Sequence, residues 1–121
     1  VGVAVSPDGT YALVADTFNH ATRKVMIATQ VVSTLAGTGS SGLVDGAGDS
    51  AQFNRPYGVA VSPDGTYALV GDYFNHAIRK IMIATQVVST FAGTGSSGLV
   101  DGAGDSARFN HPFGVAVSPD G

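Results

Sequence analysis

Along residues 1–56, apolar side chains come in four short runs, each closed by a cluster of turn-forming residues. The first, GVAVS at 2–6, stops at Ser-Pro-Asp-Gly, where Pro7 presets φ for a type I turn and Gly9 supplies the positive φ from which the next strand starts. TYALVAD at 10–16 follows and closes on Phe-Asn-His-Ala at 18–21. TRKVMIAT at 22–29 is the third run, and VVSTLAG at 31–37, reached by a tight turn near Gln30, is the fourth. Four such runs predict a four-stranded antiparallel meander. On the second run Tyr11, Leu13 and Ala15 share one face, and Ala12 and Val14 share the other. Both faces are apolar or small, so the sheet needs cover on both sides.

The pattern then starts again. GVAVSPDG begins at Gly2, Gly58 and Gly114, which divides the chain into a unit at 1–56, a second at 57–112, and a stub at 113–121 that repeats the first strand of a third unit. The two units differ at Val1/Tyr57, Ala15/Gly71, Thr17/Tyr73, Thr22/Ile78, Val25/Ile81, Leu35/Phe91, Gln52/Arg108 and Arg55/His111. Internal repeats of tens of residues mark propellers, solenoids or arrays. Four-stranded sheets arranged around an axis cover each other's faces and leave only short edges, so the expected fold is all-β, with each unit one β-propeller blade. Each unit is longer than a usual blade, and the surplus falls in the connection GTGSSGLVDGAGDSAQFNRP at 37–56.

Composition sharpens this. There are 17 glycines and no cysteine, tryptophan or glutamate, and strong helix formers are scarce. The formal net charge of −3 and the scattered Lys and Arg provide no basic field for a phosphate backbone, which speaks against nucleic acid. No apolar run approaches the roughly 20 residues that span a bilayer. The absence of cysteine excludes a disulfide-stapled module without fixing the compartment. A chain that starts at Val1 reads as a segment of something longer.

VADTFNHATRK at 14–24 and VGDYFNHAIRK at 70–80, each after GVAVSPDG and before STLAGTGS or STFAGTGS, resemble NHL repeats, named for an Asn-His-Leu triplet. Ala21 and Ala77 stand where the name expects leucine. The resemblance implies a six-bladed propeller of the kind that serves as a binding platform for proteins or RNA. It also points to a few related propellers that are enzymes, among them a metal-dependent lyase.

Two blades cannot close a ring, because each end would present an apolar sheet face to water. The expected partners are therefore further blades of a longer chain or further copies of this one, three two-blade chains making a six-bladed homotrimer by a closing heterologous contact. In such a ring the stub and residues 1–9 of a neighbouring copy compete for one place. Connections in a meander alternate between two ends, so the turn after strand two and the long loop after strand four share a rim. On that rim are expected Thr17, Asn19, His20, Asp45, Asp49 and Arg55, and in the second unit Tyr73, Asn75, His76, Asp101, Asp105, Arg108 and His111. Loops on a rigid scaffold carry function, so this rim is the candidate surface for a protein or other ligand.

Asp16, Asn19 and His20, with Asp72, Asn75 and His76, suit the tying of a turn, Asn tolerating positive φ. His20 and His76 are the candidate metal ligands, one from each blade. Identical histidines in identical turns argue for structure, since a catalytic site needs different residues in different roles. Asp45 and Asp49 in VDGAGDS offer oxygen ligands but lack the EF-hand spacing and its glutamate, and a solvated Gly-rich turn is expected. GTGSSG at 37–42 lacks the Lys-Ser/Thr ending and the following helix of a phosphate loop. One residue of each Arg23-Lys24 and Arg79-Lys80 pair must face a neighbouring sheet, so an Asp-paired or snorkelling role is expected. No Gly-x-Ser-x-Gly elbow is present. No catalytic residue and no cofactor is assigned. The reading is a non-enzymatic propeller scaffold, with a metal-dependent propeller enzyme and an RNA-binding domain as alternatives.

Overall fold

Two four-stranded antiparallel sheets, one from each repeat, make up the computed structural model, which describes residues 2–121. Val1, which alignment with Tyr57 leads one to expect near the rim, lies outside the described residues. In the first sheet β1 (Val3–Val5), β2 (Tyr11–Asp16), β3 (Ala21–Met26) and β4 (Val32–Ala36) lie side by side in chain order. The second sheet, β5 (Pro56–Val61), β6 (Tyr67–Asp72), β7 (Ala77–Met82) and β8 (Val88–Ala92), repeats that order. These are the meanders that the apolar runs predict. Registers match across the repeat, with Leu13 opposite Lys24 and Leu69 opposite Lys80.

The third strand stops at Met26 rather than running to Thr29. Gln30, with φ 63°, donates its N–H to the Met26 carbonyl at 2.7 Å and closes the turn. The Ser-Pro-Asp-Gly hairpin is tied by its carboxylate: Asp8 accepts from the Ser6 and Thr10 hydroxyls, each at 2.8 Å, and from the Thr10 N–H at 3.1 Å. These bonds, Ser6 first, hold the Asp8 carboxyl below its ordinary range, and Ser62 and Thr66 do the same for Asp64.

Successive blades meet first at their innermost strands. Gly2 donates its N–H to the Tyr57 carbonyl, and a Cβ at Gly2 would stand 2.7 Å from that oxygen. At Gly58 a Cβ would collide with the Phe113 carbonyl. Backbone-to-backbone approach at these two points explains why the GVAVSPDG motif opens on glycine. Residues 113–121 continue along the same line without forming a strand, although Ser118 still donates to Asp120 at 2.8 Å as its twins do. β1 and β5 each owe their ladders to a hairpin partner, and among the described residues 113–121 has none.

The connection at 37–55 is a packed wedge rather than a free rim loop. Val44 pairs with Gln52, and the Ala51 N–H closes onto the Ala47 carbonyl at 2.8 Å. One side is held to the first blade by the Gly37 N–H, which donates to Gly48 O at 2.9 Å. The other is held to β8 by an exchanged pair between Gly46 and Val88 at 2.9 and 2.7 Å. Ala51 and Phe53 are fully buried there and join Leu13, Leu35, Val59, Val70, Ile81 and Val88 in one core between the sheets.

Candidate functional site

After β2 the chain makes a short 3₁₀ turn, Thr17–Asn19, and leaves it through His20 in the left-handed conformation, φ 52°. Tyr73–Asn75 and His76, φ 51°, repeat the geometry. The residue at positive φ is thus histidine, not asparagine. Its side chain explains the choice: His20 Nδ1 accepts the Arg55 N–H at 3.1 Å, and His76 Nδ1 accepts the His111 N–H at 3.1 Å. Each bond reaches 35 residues along the chain to the entry of the next repeat and offsets a left-handed strain of about 1–2 kcal/mol. A histidine that accepts through Nδ1 carries its proton on Nε2, so neither nitrogen keeps a free lone pair for a metal. Desolvation, followed by the charge of nearby His111, lowers the His76 pKa, in keeping with a neutral ring. Among the described residues no group of three or more His and Asp side chains is placed to hold a metal ion.

Between and beyond these turns runs an aromatic ledge. Tyr73 lies 4.8 Å from Tyr57, 5.2 Å from Phe74 and 4.7 Å from His111, measured between ring centroids. Tyr57 also packs on Phe113 at 4.7 Å. The Arg55 guanidinium sits over the Phe74 ring at 4.7 Å and over Phe18 at 5.3 Å, joining the two blades through cation–π contacts. Phe18 is 71% exposed and Phe113 58%. Tyr57 and the repeat differences Thr17/Tyr73 and Arg55/His111 fall on or beside this ledge. In the first blade Thr17 instead donates its buried hydroxyl to Pro56 O at 2.8 Å. Sequence reasoning had Arg55, Tyr73 and His111 but missed Phe18, Phe74 and Phe113. The available signal was a large apolar residue inside a turn, where no strand neighbour can bury it.

Below the ledge lies a buried ionic network. The Arg79 guanidinium, fully enclosed, donates to Gln52 O at 2.8 Å, Asp72 Oδ2 at 2.9 Å, Val44 O at 2.9 Å and Asp45 Oδ1 at 2.7 Å. Asn75, also buried, donates to Asp72 and to Gly42 O. Burial raises the Asp72 pKa against the opposing pull of Asn75, the Asn54 N–H and Arg79. Asp45, although its side chain stays 51% exposed, is thus more than a free turn carboxylate. It leaves the first blade's wedge to pair with Arg79 and to accept from Thr90 at 3.0 Å.

The expected site residues do not converge on one place. His20, Arg55, Tyr73, His76 and His111 gather on the ledge, whereas Thr17 and Asn75 are buried struts beneath it. Asn19, exposed, donates to Asp16 at 3.0 Å. Asp49 is exposed on the first wedge, and Asp101, Asp105 and Arg108 are exposed on the second.

No family model matches the chain. It is 32% identical over 128 aligned positions, 99% of its length, to Protein SUPPRESSOR OF QUENCHING 1, chloroplastic, of Arabidopsis thaliana. It is 37% identical over 97 positions, 80% of its length, to NHL repeat-containing protein 2 of Gallus gallus. The chain spans only 12% and 13% of these two relatives. Among solved structures, an auxiliary nutrient binding protein from Bacteroides thetaiotaomicron superposes with a TM-score of 0.84 at 28% identity, covering 98% of this chain and 32% of that one. Two in-phase repeats, each folded as a four-stranded meander around an Asn-His turn and similar to a protein named for the same repeat, make this chain a member of the NHL-repeat β-propeller family.

Proposed function

We propose that the chain is a non-catalytic interaction platform that binds a peptide or another ligand with a flat apolar face through the ledge around Phe18, Arg55, Phe74, Tyr73 and His111. The observation that carries this reading is the exposure of Phe18 and Phe113 at the ends of a continuous run of stacked rings and guanidinium, set on a rigid base. Exposed aromatic side chains clustered with an arginine are the usual anchors of recognition surfaces. The Bacteroides protein it resembles is named for nutrient binding, which accords with a binding role. The nearly identical units, the histidines occupied as backbone acceptors and the lack of a nucleophile elbow all weigh against chemistry at this rim. Aromatic faces also stack nucleobases, but a nucleic acid strand needs a cationic groove, and Arg55 is the ledge's one full cation among the described residues.

The test is a selection of displayed random peptides on the immobilised chain, followed by affinity measurement against Phe18→Ser/Phe74→Ser. Binders rich in aromatic and acidic residues, weakened at least tenfold by the double substitution, are expected, equivalent to about 1.4 kcal/mol. Binders indifferent to it would overturn the reading.

A further inference from the structure

We propose that the open face of the first blade is the docking site for the second wedge, residues 98–109, of another copy of this chain. The interface between the two blades is its template. The first wedge meets the second blade through Asp45, Val44 O and Gln52 O, all bonded to Arg79, and through Gly42 O, bonded to Asn75. The polar side chains of this interface, Asp45, Asn75 and Arg79, have identical twins 56 positions away in Asp101, Asn19 and Arg23, and those twins lack the partners that the interface supplies. Arg23, the twin of Arg79, bonds only Asp16, at 3.1 Å, with its side chain 33% exposed against 0% for Arg79. Asp101, the twin of Asp45, is exposed like it but has no ion-pair partner among the described residues.

The apolar surface tells the same story. Val3 is 65% exposed where its twin Val59 is 7%, and Val32 is 51% exposed where Val88 is 1%. At the opposite end Phe91 is 54% exposed, whereas Leu35 in the same position of the first blade is 3%. One face thus carries a cation and its apolar surround, and the other the matching carboxylate, in the registry already used inside the chain. That complementarity to its own far end is what identifies a second copy as the occupant. Seated there, the guanidinium of Arg23 would donate to Asp101 and Val100 O of the neighbour, and Asn19 to Gly98 O.

The contact is heterologous, so it either closes or propagates. Two blades cover 32% of the Bacteroides propeller-like chain, about the share of two blades in six, and three copies are expected to close the ring. The closing stretch 114–121 has the same sequence as 2–9, GVAVSPDG, and arrives where the neighbour's β1 lies. Either segment therefore completes the same sheet in the register that sets Val3 opposite Val14.

Light scattering after size exclusion tests the proposal on the 121-residue chain. A single species at three times 12.2 kDa is expected, falling threefold to the single-chain mass in both Asp101→Lys and Arg23→Gln with circular dichroism unchanged. Asp105→Lys makes the same charge change on the same wedge, at a position whose twin Asp49 stays exposed beside the second blade, and leaves the mass at the higher value. A wild-type chain that stays single, an open-ended distribution, or an oligomer indifferent to Asp101→Lys overturns the proposal.

Discussion

Replacing Arg79 by alanine removes the centre of the contact between the blades, and the structure sets the size of the effect. Four hydrogen bonds disappear together with the stacking of the guanidinium on Phe53, 5.0 Å away. The larger consequence falls on Asp72, which remains fully buried without its cation. Breaking one side of a buried ion pair costs about 3–5 kcal/mol, a large part of the roughly 5–15 kcal/mol that holds a domain. Arg23 offers an internal control, because its single bond to Asp16 joins two side chains that are each about a third exposed. Solvent-screened pairs of that kind are worth about 0–1 kcal/mol. Urea denaturation followed by far-UV circular dichroism, at a concentration too low for copies to associate, should place Arg79→Ala about 3 kcal/mol below Arg23→Ala. Acid should narrow the gap: burial raises the Asp72 pKa and Arg79 opposes that, so Arg79→Ala raises it further, and the stability tied to the protonated carboxyl is present below the ordinary carboxylate pKa and lost as pH rises through the folded value, more so in Arg79→Ala than in Arg23→Ala. Adding Asp72→Asn to Arg79→Ala should likewise recover part of the loss. Equal costs for the two arginines would refute the reasoning.

Three further outcomes follow from single contacts. His20→Gly should be milder than His20→Ala in thermal unfolding, since both lose the bond to the Arg55 N–H at about 0.5–1.5 kcal/mol but only alanine keeps the left-handed strain. Phe53→Ala, emptying a fully buried site, should cost about 3–5 kcal/mol, and Phe109→Ala, its half-buried twin, clearly less in the single chain. NMR titration of Asp8 and Asp64 should give midpoints below the ordinary aspartate value. The hairpins' stability is then present above that value and is lost as pH falls through the lowered midpoints; Ser6→Ala should move the Asp8 midpoint back up.

The meander, its turns and the repeat were legible because each is a local matter: a run of Val, Tyr and Leu, a Pro-Asp-Gly, a 56-residue recurrence. The rim was legible as a place, since alternation of connections puts the His20 turn and the loop after β4 at one end. Its chemistry was not. Asp45 sits in a glycine-rich stretch without periodicity, which gives no sign of an ion-pair partner. Its partner Arg79 is 34 residues away in the next repeat, a pairing that spacing within one unit cannot reveal. Ala51 and Phe53 read as loop for the same reason, although they close the core between the sheets. The positive φ at His20 was assigned to its neighbour because asparagine has the better intrinsic tolerance. The bond from Arg55 to the imidazole, a contact between repeats, decides otherwise. Phe18 and Phe74 were overlooked because a turn gives no face on which to place them.

Whether one interface recurs between copies can be read directly by disulfide trapping, since the chain has no cysteine of its own. The Thr90 hydroxyl donates to an Asp45 carboxylate oxygen at 3.0 Å within one chain, so cysteines at those two positions are expected to form an intrachain link. Cysteines at their twins, Thr34 and Asp101, lie on opposite ends of the same chain and meet only if the second wedge of one copy seats on the first blade of another. Covalent trimers from the 34/101 pair on a non-reducing gel, alongside single chains from the 45/90 pair, are the result expected. Linked 45/90 chains with a 34/101 pair that stays unlinked would contradict it.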